Sequence, residues 1–194
     1  MAQTRRMGVE NSKMRTLFVE AAEALLREEG YMSISARQVA AKAGLKTQLL
    51  YYYFQTMDDL ILAVVKRINE RRQQRFEEAL AAANPLRAIW ELNSDPSSAA
   101  VSAELTSIAT HREAIREEIV RSAQQFRSQQ IEAVSRLIGA RGKADYPAAG
   151  LVMIAIGVAR TIITESALGL TEGHAEALAI IDRALYELAP ESPL

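Results

Sequence analysis

Residues 35–54 read SARQVAAKAGLKTQLLYYYF, and this stretch decides the fold. Ser35 precedes an apolar-periodic run and Gln38 stands three residues on, the spacing of a capping box; Ile34 and Val39 sit where a hydrophobic staple needs them. A helix is therefore predicted from Ala36, with Val39, Ala40 and Ala43 on one face. Gly44 follows where a helix ends in a residue of positive φ, which glycine adopts at little cost. Leu45 then packs into the angle, Lys46 or Thr47 opens a second helix, and Leu50 with Tyr53 or Phe54 faces back onto the first. Small Ala40 permits the two helices to cross closely. Thr47, Gln48, Tyr51 and Tyr52 are left pointing outward on a short helix of the size that enters a DNA major groove. A plain helical hairpin in a bundle would carry the same caps, so the flanking sequence has to separate the two readings.

Those flanks are TLFVEAAEALLREEG (residues 16–30) before the block and TMDDLILAV (residues 56–64) after it. The order closely resembles the TetR family of bacterial transcriptional regulators. There, a first helix ends at Gly-Tyr or Gly-Phe, Ser or Thr caps the second, Ala-Gly-Val makes the turn, and Leu-Tyr-x-x-Phe closes the recognition helix. Gly30-Tyr31, Ser35, Ala43-Gly44-Leu45 and Leu50 to Phe54 occupy those places. The resemblance covers about the first third of the chain. It implies base contacts for Arg37, Thr47 and Gln48 and phosphate contacts for Ser35, Lys46, Tyr51, Tyr52 and Tyr53. The chemistry agrees: Arg and Gln bond base edges bidentately, whereas hydroxyls and Lys suit phosphate oxygens. Three positions depart from the family pattern, where Ser is frequent at the place of Lys46, Gly or Pro at that of Gln48, and Lys at that of Met57. Methionine makes no phosphate contact.

Composition fits a globular protein: 194 residues, 49% hydrophobic and 24% charged, enough chain to bury a sizeable core. The absence of cysteine excludes disulfides and thiolate metal sites and is compatible with a reducing cytosol. The segment MAQTRRMGVE lacks the apolar core of a secretory signal, so a cytoplasmic protein is expected. Net charge is −1, but its distribution is uneven: residues 1–56 hold eight Lys or Arg against five Glu, and the rest holds fifteen against nineteen acidic residues. The basic excess coincides with the helix-turn-helix.

Along the chain, residues 1–11 with Arg5 and Arg6 are expected as a polar arm, either a disordered tail or a minor-groove contact. Met14, Leu17, Phe18, Ala21 and Leu25 recur at helical spacing in a first helix ending at Gly30. A long helix is expected from Thr56, with Asp58 and Asp59 favourable in its first turn and Leu60, Ile61, Val64, Val65 and Ile68 inward. Its stretch RRQQR is read as a solvated face rather than a nucleic-acid patch. Asn84-Pro85 and Asp95-Pro96 mark turns that open short helices over 85–92 and 97–110. Trp90, in the first of these, either fills core space or lines a cavity. Residues 111–139 read as one long amphipathic helix bearing Ile115, Ile119, Phe126, Val134, Leu137 and Ile138. The GARGK that follows lacks the spacing of a phosphate-binding loop.

Residues 147–159 carry no charge and are expected to be buried on nearly every side, yet are too short for a bilayer, which needs about 18 apolar residues. A last helix carries Leu178, Ile181, Leu185 and Leu188 on one stripe. The resemblance implies that the final two helices form a dimer interface by four-helix packing, with Ile156, Ile163, Leu178, Ile181 and Leu185 as candidates. Met153, Gly157, Arg160 and Thr164 share one face of the penultimate helix. With Trp90 and Phe126 they are the candidate ligand contacts, Arg160 pairing with an anionic or carbonyl group. The alternative for Arg160 is an ion pair within the fold or across a dimer, with Gly157 admitting a close helix.

No catalytic motif is present, and His111 and His174 have no evident metal partner, so neither an enzyme nor a cofactor is expected. The chain therefore reads as an all-α protein of about nine helices: a DNA-binding domain with an N-terminal arm over 1–56 and a ligand-binding and dimerisation domain over 57–194. The expected function is that of a homodimeric regulator, a repressor released from a palindromic double-stranded DNA operator by a small-molecule effector, with no membrane partner. The competing reading is a helical binding protein that keeps the helix-turn-helix only as scaffold.

Overall fold

The computed structural model describes the backbone of residues 2–142 and 145–188 and the side chains of residues 13–142 and 145–188. Among these residues there are nine α-helices and no strand, as the all-α reading expects. In order they are α1 (Ala2–Glu29), α2 (Ala36–Ala43), α3 (Thr47–Tyr53), α4 (Met57–Leu80), α5 (Pro85–Asn93), α6 (Pro96–Ala109), α7 (Glu113–Gly139), α8 (Ala148–Ala167) and α9 (His174–Leu188). A 3₁₀ turn, Tyr31–Ser33, follows α1.

The first helix differs from expectation at its start, because its backbone is helical from Ala2 where a polar arm was expected. The packed turns of residues 18–26 nucleate the helix, and residues 2–13 include no proline to stop it propagating backwards. The side chains of Arg5 and Arg6 lie outside the described residues. Leu17, expected inward, is 40% exposed; the buried stripe centres instead on Phe18, Ala22, Leu25 and Leu26.

The chain divides into two compact units, Met1–Glu70 with Ala100–Arg121, and Arg71–Ala99 with Ser122–Leu194. The division falls inside α4, α6 and α7, so these units do not follow the expected functional segments 1–56 and 57–194. In the first unit, Phe18, Ala22 and Leu26 of α1 pack with Val39, Leu50, Phe54, Leu60, Val64, Leu105, Ile108 and Ile115 in one core. Glu23 is also buried in this unit, 3% exposed. Its carboxylate is paired with Arg27 at 2.7 Å and with Arg67 of α4 at 3.3 Å. Burial of a carboxylate is tolerated only with such compensation.

The second unit has its own core of Phe76, Ala79, Leu86, Ile89, Leu92, Ala133, Val134, Ile138 and Val152. Asn84 caps α5 through the Arg87 N–H, with Pro85 in the first turn, as the Asn-Pro signal predicts. In the single chain the apolar stretch 147–159 is covered on one side only. Only Val152 and Ala159 of α8 are buried, while Met153 and Ile154 are 47% and 61% exposed. One chain supplies neighbours for a single side of α8, so the other apolar side stays uncovered. By length and composition α8 would also cross a membrane, contrary to the estimate from thirteen residues, though one such helix is weak evidence of a span. The GARGK segment includes Lys143, which lies outside the described residues.

Candidate nucleic-acid interface and regulatory surfaces

Ser35 is the N-cap of α2: its Oγ accepts the Gln38 N–H at 3.3 Å and donates to Gln38 Oε1 at 2.7 Å. The capping box is thus closed between side chains, with the Gln38 amide on the Ser35 hydroxyl. At the other end Gly44 takes φ 67°, the Leu45 N–H donates to Ala40 O at 2.9 Å, and the Gly44 N–H donates to Ala41 O at 3.1 Å. This pair of bonds is a Schellman stop. It turns the chain directly into α3, whose N-cap is Lys46 and whose buried residues Leu50 and Phe54 hold it on Val39 and Ala40.

The consequence is a recognition face. Arg37, Lys46 and Gln48 are exposed, Tyr51 and Tyr52 are 53% and 71% exposed, and Thr47 and Tyr53 are half-buried. The Tyr52 ring stands edge-on to Tyr53 at 5.0 Å, and Tyr53 lies 6.2 Å from Phe18, so the tyrosine row is braced by the core. Lys46, Gln48 and Tyr52 line a shallow depression with Gly44, Leu45 and Leu49. All eight residues predicted for DNA contact therefore lie on α2 and α3 or at their caps.

Met57 is half-buried and packs against the core of its unit, which accounts for an apolar residue at this position. The start of α4 is closed by a Thr56–Asp59 box, in which the Thr56 N–H and Oγ both donate to Asp59 Oδ2 at 2.8 Å. Asp58 is paired with Arg112. Two acidic residues thus occupy the first turn of α4. A cation that the sequence reading passed over is Arg15, whose guanidinium carbon lies 4.9 Å over the Phe54 ring and which shares a cleft with Tyr53 and Lys66. Its helical spacing from Phe18 and Glu23 gave no sign of this, because the contact is made across α1 and the end of α3.

Residues 18–64 match the family model described as "Bacterial regulatory proteins, tetR family". Residues 18–64 thus place this part of the chain in the TetR family. The HTH-type transcriptional regulator PksA of Bacillus subtilis (strain 168) is 31% identical over 70 residues, covering 36% of this chain and 34% of the relative. The match thus spans about a third of that curated protein. A TetR regulator from Haloarcula marismortui ATCC 43049 shares the fold with a TM-score of 0.71 at 20% identity, over 92% of this chain and 97% of that one. A regulator from Saccharomonospora viridis solved in complex with choline gives a TM-score of 0.75 at 16% identity, over 91% and 96%. At these identities the structural likenesses establish the TetR-like fold of the whole chain and nothing further.

The expected regulatory residues are distributed unevenly. On α8, Met153, Gly157, Arg160 and Thr164 are all exposed and share a face, as their spacing predicts. A Cβ added at Gly157 would meet nothing within 4 Å, so the backbone approach expected there is not made by this chain. Arg160 is exposed, and its charge acts on Arg72 of α4. Trp90 is 8% exposed on α5, and Phe126 is half-buried against Phe76, ring centroids 5.3 Å apart.

Of the dimer candidates, Ile156 and Leu185 pack in part on the core of their own unit, Ile163 and Ile181 are half-buried, and Leu178 is 39% exposed. On α8 itself Met153 and Ile154 are the exposed large apolar side chains. Arg72 departs from the solvated RRQQR face expected for it. It is half-buried, with its guanidinium carbon 4.2 Å from the Phe126 ring centroid. His174 bonds Glu165 at 2.8 Å, and no group of metal-ligating residues is found among the described residues.

Proposed function

We propose that this TetR-family chain is a cytoplasmic transcriptional repressor that binds a palindromic DNA operator as a homodimer and releases it when a small molecule binds the second unit. The observation that carries DNA binding is the α3 face, where Gln48, Lys46 and Tyr52 stand in solvent on a helix fixed by the Gly44 turn. Arg37, Thr47 and Gln48 read base edges, and Ser35, Lys46, Tyr51, Tyr52 and Tyr53 position the helix on phosphates. Arg15, beside the end of α3, supplies a positive charge that Met57 does not.

Homodimerisation is supported by the exposed apolar side of α8. A helix with a mean hydropathy of 1.6 of which only 17% is buried invites a second copy. Gly157 and Thr164 leave room on that side for a close helix crossing. Two copies of α3 related by a twofold axis require inverted half-sites about one helical turn apart. Trp90, Phe126, Met153, Gly157, Arg160 and Thr164 remain the candidate effector contacts, those on the open side of α8 competing with the dimer for the same face.

Selection from random double-stranded DNA with the purified full-length protein tests the reading. Enrichment of an inverted repeat supports it. Absence of any enriched site favours the alternative of a helical binding protein whose helix-turn-helix is scaffold.

A further inference from the structure

The two ends of α3 are furnished differently. Lys46 stands exposed as the N-cap of the first. Beyond the other end lies Met57, which packs on the core, and the turn of α4 that starts there carries Asp58 and Asp59. A polyanion lying along α3 must therefore find its second cation elsewhere in the first unit.

A cleft of about 460 Å³ opens between α1, the end of α3 and the first turns of α4, lined by Arg15, Tyr53, Phe54, Gln55, Asp59 and Lys66, all within that unit. Phe54 is 2% exposed, and its N–H closes α3 on Leu50 O at 2.9 Å, so its ring is a fixed wall. The Arg15 guanidinium carbon lies 4.9 Å from the centroid of that ring. A guanidinium stacked by its face keeps N–H donors along its edge, in the fork that suits two phosphate oxygens. Arg15, Gln55 and Lys66 are all exposed. The acid of the cleft, Asp59, is engaged, since its Oδ2 accepts both the Thr56 N–H and the Thr56 hydroxyl at 2.8 Å. Two cations against one acid leave the cleft electropositive, beside a tyrosine to which the family resemblance already gives a phosphate.

We propose that this cleft holds a phosphate of the DNA backbone, with Arg15 as its forked donor, Lys66 adding charge and Gln55 an amide N–H. The inference rests on the DNA-binding reading above and gives the charge of Arg15 a site and a role: the cation frequent in the family at the place of Met57 comes here from α1. Such a contact fixes the register of α3 on the duplex and carries no sequence information of its own.

Anisotropy measurements of the full-length protein on the duplex enriched from random DNA, and on a random duplex of equal length, between about 50 and 200 mM salt test this. Arg15→Gln should weaken both duplexes alike, keep the sequence preference, and reduce the slope of log affinity against log salt by about one for each half-site. Arg15→Lys should keep most of that slope. A second readout alters the DNA instead of the protein: single uncharged methylphosphonates are scanned along the enriched duplex. One position in each half-site should weaken wild type and leave Arg15→Gln unaffected. An unmoved salt slope in Arg15→Gln, an equal response of wild type and variant at every scanned phosphate, or a preference lost at one base position would overturn the proposal. So would a rise of wild-type Tm with inorganic phosphate at constant ionic strength that Arg15→Gln abolishes while the slope stays unmoved, because the cleft would then hold a free anion. A wild type that enriches an inverted repeat with an affinity indifferent to Arg15 sinks only this inference, whereas one that binds neither duplex sinks the DNA-binding reading with it.

Discussion

The Glu104 carboxylate accepts the backbone N–H of Tyr31 at 2.8 Å, where Gly30 at φ 79° turns the chain out of α1 toward the helix-turn-helix. The loop before α2 is thereby tied to α6 within the first unit, and Arg112 adds a second tie by lying over the Tyr31 ring and pairing with Asp58. Glu104→Ala leaves the Tyr31 N–H without this acceptor, a loss of about 1–3 kcal/mol when such a donor stays buried. Urea unfolding should show a lowered midpoint, whereas Glu104→Gln, which keeps an acceptor oxygen, should recover part of it. An unchanged midpoint in Glu104→Ala would show that water replaces the carboxylate.

Gly30→Ala should be destabilising through its backbone, because φ 79° with ψ 174° lies in a region essentially reserved for glycine and costs another residue about 1–3 kcal/mol. The added Cβ would meet the Glu104 oxygens at 3.4 Å, an ordinary contact. Combining it with Glu104→Ala should therefore give close to the sum of the two single losses, and a large coupling in a double-mutant cycle would contradict this.

Asp95 gives the clearest acid signature. Burial pushes its carboxyl upward, but hydrogen bonds from Arg75, from the Ser97 side chain and backbone and from Ser98 outweigh this and hold it at about 2. A pKa depressed in the folded state contributes stability that is complete above the unfolded value of about 4 and is lost as pH falls through about 2. Asp95→Asn should therefore be less stable than wild type at neutral pH, and the difference should shrink between about pH 4 and 2. A difference independent of pH in that window would assign the effect to lost α6 capping alone.

The exposed side of α8 makes the dimer testable without touching the core. Ile154→Glu places a charge on a side chain that is 61% exposed in the single chain, so folding should be retained while the dimer dissociates. Sedimentation should show a monomer with wild-type helix content. Leu185→Asp is a weaker test, since Leu185 also packs on the core of its own unit and its loss would lower stability as well.

Much of this was legible in the sequence because local signals and global packing agree there. Ser35, Gly44 and Leu50 each do locally what the helix-turn-helix needs, and Asn84-Pro85 does the same for α5. The misreadings arise where a residue's setting depends on distant chain. The residues 147–159 are as apolar as a core helix, and nothing in their periodicity tells a side facing the same chain from one left for a partner. Arg72 sits in a run of charges that reads as solvated, yet Phe126, more than fifty residues away, receives its guanidinium. Helical propensity also carried α1 back to Ala2, where polarity alone pointed to an arm.

DNA selection repeated with variants of the α3 face tests the central claim most directly. Gln48→Ala should keep an inverted-repeat site but lose preference at one position of each half-site, at a cost of about 1–3 kcal/mol for the preferred sequence. Lys46→Ala should weaken every sequence alike and reduce the salt dependence of binding. Uniform weakening by Gln48→Ala, or a wild-type site without twofold symmetry, would contradict recognition by paired α3 helices.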